Sequence, residues 1–209
     1  HTGYVTRFPN VSRSRFKNQK EILQFMKKIN EIFYSLQGEG YYTGTPAVFV
    51  RFSGCNLNCD FCDTEHLSGV FMSDNEILTE ITQYPTRHIV LTGGEPTLQI
   101  DVPFMQMLKE DNWYIQIETN GTLTSGLSIA DRWADWVTCS PKKDCIREKA
   151  NELKVVYTGQ DMSQYDSFIC DIRSLQPCSM LNTQEVIDYI KKHPQWRLSL
   201  QTHKMLDIR

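Results

Sequence analysis

A chain of 209 residues, 40% of them hydrophobic and 22% charged, can bury one sizeable core, and one domain is the default. A formal net charge of −3 gives no general attraction to nucleic acid or an anionic membrane surface, and the longest apolar runs, Ala47–Val50 and Ile89–Leu91, are far too short to span a bilayer. The expected partner is therefore a small molecule, with no nucleic acid and no membrane.

Seven cysteines are an odd number, and three crowd into the stretch from Cys55 to Cys62. That fits reduced, metal-binding thiols better than a secreted disulfide scaffold. The first twenty-five residues lack the continuous apolar stretch of a signal peptide, so the cytoplasm is the expected compartment.

In chain order, His1 to Phe25 comes first; it is polar and basic, with Arg7, Arg13, Arg15, Lys17 and Lys20 and no periodic apolar face. It reads as an upstream extension (1–25), with Met26 as the natural start and 26–209 as a single domain. Strands are expected at Ile32 to Ser35 and Ala47 to Phe52, then a helix over Asp74 to Gln83 capped by Ser73. A strand at His88 to Thr92 and a helix at Val102 to Glu110 follow. Further strands are expected at Trp113 to Thr119, Trp136 to Cys139, Leu153 to Tyr157 and Phe168 to Ile172. A helix over Thr183 to Lys192, stopped by Pro194, precedes a last strand at Arg197 to Gln201. Strands alternating with helices argue for a largely parallel α/β sheet. Three clear helices are few for six or more strands, so the expected fold is an abbreviated, partly open (βα)6-type barrel with some helices replaced by loops.

The decisive stretch runs from Arg51 to Thr64, Arg-Phe-Ser-Gly-Cys-Asn-Leu-Asn-Cys-Asp-Phe-Cys-Asp-Thr. It follows a strand and opens a loop. The spacing of Cys55, Cys59 and Cys62 lets one loop wrap a 4Fe-4S cube so that three thiolates reach three irons. The fourth iron is then open to another molecule, by the logic that separates open catalytic metal sites from closed structural ones. The alternative is structural zinc completed by His66 or a distant cysteine. Zinc sites usually arrive as two cysteine pairs, whereas Cys139, Cys145, Cys170 and Cys178 are widely spread and read as small buried hydrophobes.

This cysteine pattern resembles the radical S-adenosylmethionine superfamily, and Thr92-Gly93-Gly94-Glu95-Pro96 extends the likeness. In that family such a segment meets the amino group of the cofactor's methionine, since glycines allow close backbone approach and carbonyls accept from an ammonium. Further segments are similar to the 7-carboxy-7-deazaguanine synthases: Tyr34 to Gly40, Cys62-Asp63-Thr64, Glu118 to Gly121, Ser140-Pro141-Lys142, Gln176-Pro177, and Ser199 to Lys204. Each is weak alone; in this order they are specific, and the likeness covers Met26 to Arg209. It implies the conversion of 6-carboxy-5,6,7,8-tetrahydropterin to 7-carboxy-7-deazaguanine with loss of ammonia, begun when a 5′-deoxyadenosyl radical removes hydrogen. The rivals are a glycyl-radical-enzyme activase and a non-catalytic metal-binding module.

The resemblance also implies roles residue by residue. Cys55, Cys59 and Cys62 would hold the cluster, and no residue beyond cluster and cofactor would be catalytic. Phe61, Cys62 and Asp63, Gly94 and Glu95, Ser140, Pro141 and Lys142, and Leu175, Gln176, Pro177 and Cys178 would contact S-adenosylmethionine. Leu36, Gln37, Gly38 and Glu39 would line the pterin, and Arg51 would take its carboxylate, the alternative for Arg51 being a surface ion pair. Thr92, His203 and Arg209 would add substrate contacts, and Thr64 would help bind Mg2+. A flavodoxin or ferredoxin as electron donor and a homodimer complete the expected partners.

Overall fold

The computed structural model describes residues 26–59, 62 and 68–209. The arm 1–25, together with Phe61, Asp63, Thr64 and His66, lies outside the described residues. Nine strands form one sheet. They are β1 (Lys27–Leu36), β2 (Pro46–Phe52), β3 (Val70–Met72), β4 (His88–Gly93), β5 (Tyr114–Thr119), β6 (Trp136–Cys139), β7 (Glu152–Tyr157), β8 (Ile172–Pro177) and β9 (Arg197–Leu198). Their spatial order is β3-β1-β2-β4-β5-β6-β7-β8-β9. From β2 to β9 every neighbour is parallel, while β1 runs antiparallel to both β2 and β3. The two outer strands do not pair with one another, so the abbreviated, open barrel expected from the sequence is the fold observed.

Helices α1 (Asp74–Ile81), α2 (Val102–Glu110), α3 (Thr124–Trp133) and α4 (Thr183–Lys192) cover one face, and the short α5 (Thr202–Leu206) lies beside the cavity. Ser73 starts α1 through a reciprocal cap, its hydroxyl accepting from the Glu76 N–H while the Glu76 carboxylate accepts from the Ser73 N–H. Asp101 caps α2. Alternation in the strands then sorts the two faces. Val48, Val50, Ile89, Leu91, Ile115 and Ile117 point to the helices and are fully buried with Phe104, Met105 and Leu108. The intervening residues, such as Gln116, Thr138, Glu152, Lys154, Ser174 and Gln176, are buried too, yet polar. The inner face of the sheet is therefore built for chemistry rather than for packing. None of the described helices is long and apolar enough to cross a membrane.

Two expected elements are corrected. The strand placed at Phe168 to Ile172 begins at Ile172 and ends at Pro177. Phe168 instead fills a second core cluster with Leu153, Val155 and Leu175, and Ile169 makes a lone bridge to Lys149. The last strand stops at Leu198, and the chain turns into α5 at Thr202. Elements not expected are β3, α3 and α5; α3 has no side-chain cap and carries Gly126 inside it.

Candidate active site

A cavity of about 770 Å³ opens at the C-terminal ends of the parallel strands, where enzymes built on such sheets gather their chemistry. Cys55, Cys59 and Cys62 line it. A turn in which the Cys62 N–H donates to the Cys59 carbonyl keeps two of them together. The loop after β4 braces this segment: the Gly94 N–H donates to the Phe52 carbonyl, and the Glu95 N–H donates to the Gly54 carbonyl, each at 2.9 Å. A Cβ on Gly94 would lie 1.9 Å from the Gly54 oxygen, so only glycine permits this contact.

The Glu95 carboxylate is fully buried and accepts from Thr97, from the Thr119 hydroxyl and from the Asn120 N–H. Asn120 in turn directs its amide to Asn56 at 3.0 Å and to the Cys55 sulfur at 3.9 Å. Burial pushes the Cys55 thiol up, only partly offset by the Leu57 N–H, while Glu95 and the neighbouring thiols add to the shift. Among the described residues, no three His, Cys, Asp or Glu side chains are arranged to share a single ion. Three thiols that share one loop and one cavity but no single point fit a cube in which each meets a different iron. The donor set thus fits an iron-sulfur cluster.

Away from the thiols the wall is charged and ordered. Lys154, buried on β7, donates to Glu39 Oε2 at 2.6 Å and stands 3.6 Å from Glu118 Oε2. Glu39 Oε1 accepts from Gln176 and Gln201 at 3.2 and 2.8 Å. Burial works to raise the Glu39 pKa, but the Lys154 cation and the amide donors outweigh it and hold the carboxyl below its ordinary value. Lys154 is held above the usual lysine range: burial opposes its charge, and Glu118 and Glu39 overcome that. Glu118 also accepts from Gln37 at 3.0 Å and from Thr92 at 3.2 Å. His203 lies against Gly38, where a Cβ would come within 2.2 Å of its Nδ1.

At the far wall, Arg51 on β2 faces Glu31 on β1 in register and donates to it at 2.9 Å, so it is ion-paired and on the cavity wall at once. The Arg209 guanidinium reaches the same carboxylate at 3.3 Å, and both guanidiniums lie 5.7 Å from the Phe33 ring centre.

The cavity brings together all the expected substrate-contact residues: Leu36 to Glu39 from the end of β1 and the turn beyond it, Arg51, Thr92, His203 and Arg209. Of the expected cofactor residues, Cys62, Gly94, Ser140, Lys142, Gln176, Pro177 and Cys178 also line it. Glu95, Pro141 and Leu175 do not. Glu95 is spent on the bonds described above, Pro141 is buried, and the Leu175 side chain points into the helix-side core. Phe61, Asp63 and Thr64 are outside the described residues. Sequence reasoning missed Glu31, Lys154 and Gln201, and gave Glu118 no role. The signal was only partial: β5 and the start of β7 carry polar residues at every second position, but nothing along the chain links Lys154 to Glu39.

An open parallel sheet with its thiol loop pressed against a Gly-Gly turn is the framework of radical S-adenosylmethionine enzymes, and residues 49–140 match the family model described as the Radical SAM superfamily. The chain is 55% identical over 186 residues to the 7-carboxy-7-deazaguanine synthase of Bacteroides thetaiotaomicron, covering 88% of this chain and 100% of that one. It is 41% identical over 210 residues to the enzyme of the same name from Burkholderia multivorans, covering 86% and 98%. Its structure is similar to the crystal structure of QueE from Escherichia coli, with a TM-score of 0.68 at 28% identity, covering 88% of this chain and 99% of that one. The chain belongs to the 7-carboxy-7-deazaguanine synthase family.

Proposed function

We propose that the chain converts 6-carboxy-5,6,7,8-tetrahydropterin to 7-carboxy-7-deazaguanine with loss of ammonia, and that the cavity divides into a cofactor end and a pterin end. The observation that carries this reading is the division of the cavity itself: three thiols on one side, and on the other a fixed set of carboxylates, amides and guanidiniums. A reduced cluster held by Cys55, Cys59 and Cys62 would supply one electron to S-adenosylmethionine, and so a carbon radical able to remove hydrogen. Flavodoxin- or ferredoxin-type donors suit that one-electron need.

The protein's own part is placement and exclusion of water. Ser140, Lys142, Gln176, Pro177 and the Gly93–Gly94 turn surround the cofactor end. Glu39 keeps acceptor capacity after three protein donors, as needed for the amino and ring N–H groups of a pterin. Arg51, aimed by Glu31, and Arg209 beside it give a carboxylate a forked cationic partner. Mg2+ held by Thr64 would join the same carboxylate, since this hard ion takes hydroxyl and carboxylate oxygens while keeping several waters.

The test is an anaerobic assay with carboxytetrahydropterin, dithionite and S-adenosylmethionine, followed by product absorbance and mass. Cofactor cleavage without ring-contracted product would remove the substrate assignment. Mg2+ and substrate should tighten one another by the same factor through linkage, and Thr64→Ala should abolish that coupling while sparing cluster content. Calorimetry that finds equal Mg2+ enhancement in both proteins, or none in either, ends the metal assignment.

A further inference from the structure

Two cysteines that the proposed reaction does not use lie together just behind the cofactor end. β6 ends at Cys139, and the chain then loops through Ser140, Pro141 and Lys142 before bringing Cys145 to 3.9 Å from Cys139, sulfur to sulfur. Both are free thiols; Cys139 is buried and Cys145 is half-buried. The hydrogen bond from Cys139 is the largest influence on Cys145 and brings its pKa down to about 7; burial opposes this, and the Arg147 backbone and guanidinium and the Lys142 cation assist it. The same bond and burial push Cys139 up.

Arg147 itself is unusual. It is buried with Nη2 on Asp131, and among the described residues neither Nε nor Nη1 has a hydrogen-bond partner. A standing positive charge thus faces a close thiol pair, the setting in which a thiolate forms and reacts.

We propose that Cys139 and Cys145 are a redox-responsive pair that closes to a disulfide in exchange with low-molecular-weight disulfides, drawing the Ser140–Lys142 loop out of its cofactor-binding position. The Cys145 thiolate attacks one sulfur of the small disulfide; a mixed disulfide forms and one small thiolate leaves. Cys139 then attacks the Cys145 sulfur, its proton goes to the second departing thiolate, and the protein disulfide forms. Two protein thiols are oxidised and one small disulfide is reduced to two thiols.

Closure needs the sulfurs to approach to about 2 Å, nearly halving their present separation. The Cys139 backbone cannot supply the movement, because β6 is paired on both sides, with Thr119 and with Leu153. Gly121 presses on both sulfurs, since a Cβ there would lie 2.6 and 2.9 Å from them. The displacement falls on the connecting loop, where Asp144 already sits at φ 63. That loop carries Ser140 and Lys142, whose ammonium donates to the Ser140 hydroxyl at 2.8 Å. The link to cofactor binding rests on the function proposed above; the thiol pair does not.

The experiment equilibrates holoenzyme anaerobically in glutathione buffers of graded potential, blocks free thiols with iodoacetamide, and maps linked peptides beside iron content and S-adenosylmethionine affinity. The expected result is a Cys139–Cys145 link that grows with oxidation and vanishes with dithiothreitol, at unchanged iron, with affinity for S-adenosylmethionine falling about tenfold and recovering. Cys145→Ser, active when reduced, should form no link and keep its affinity throughout, and Cys139→Ala should stop at the mixed disulfide on Cys145. A mixed disulfide that persists in the native protein, or two unmodified thiols in the most oxidising buffer, overturns the pair. A link that leaves affinity unchanged overturns its hold on the loop. Failure of the reduced protein to bind S-adenosylmethionine counts against the functional reading, and the linked peptide still decides the pair.

Discussion

Lys154 stands between Glu39 and Glu118 with only 5% of its side chain exposed, so the three charges are legible only as a unit. Removing the cation leaves two carboxylates facing each other out of water, and breaking a buried ion pair in this way costs about 3–5 kcal/mol. Lys154→Met should therefore lower stability by that amount in urea unfolding and weaken substrate binding, because Glu39 loses the cation that holds its carboxyl below its ordinary value. Unfolding midpoints equal to those of the native chain would show that the carboxylates do not depend on Lys154. At Gly38 the constraint is steric. Gly38→Ala places a methyl where the His203 ring now lies, and a catalytic group displaced by about 1 Å can cost about 100-fold in rate. The expected signature is lost turnover with normal iron content; a protein with native kinetics would show that the His203 ring can move aside without cost.

At the N-terminal end of β4, His88 is held by Gln116 at 3.0 Å and lies edge-on to Tyr42 and Tyr114. Burial pulls its pKa below the ordinary imidazole value, against the raising effects of Gln116 and Asp135. The folded chain therefore binds fewer protons than the unfolded one; this stability is complete above pH ~6.5 and fades as pH falls through the folded pKa. Melting at pH 7.5 and 5.5 should show a larger loss for the native protein than for His88→Gln, and equal losses would exclude His88 as the source.

The strands also show what a sequence reveals and what it hides. β2 and β4 were legible because their helix-facing residues are β-branched or aliphatic and close together. β8 was misplaced because Arg173, Ser174 and Gln176 dilute its apolar signal, whereas Phe168 and Ile169, outside the sheet, imitate a strand. α3 lacks a capping side chain, so nothing announced its start. The Gly-Gly turn took its meaning from the family resemblance, whereas the thiol loop could be read from spacing. Lys154 could not, because its meaning depends on Glu39, which arrives from the far edge of the sheet.

Across the whole molecule, the strands from β4 to β9 lie in space in the order in which they occur along the chain. The cavity is closed last by residues 199–209, which supply Gln201, His203 and Arg209. α5 buries none of its residues, so removing Thr202 to Arg209 should leave melting nearly unchanged. Two charged contacts worth about 1.5 kcal/mol each would be lost, weakening substrate binding about 100-fold. A truncated protein that fails to fold would show that this segment is structural.

Because neighbours in space are also neighbours in time of synthesis, the sheet can be laid down strand upon strand as the chain leaves the ribosome, each new edge waiting only for the next. The cluster loop is made early, and the cavity wall is completed only by residues that follow the last strand. A nascent chain can thus lay down its sheet before the wall that faces the substrate is complete.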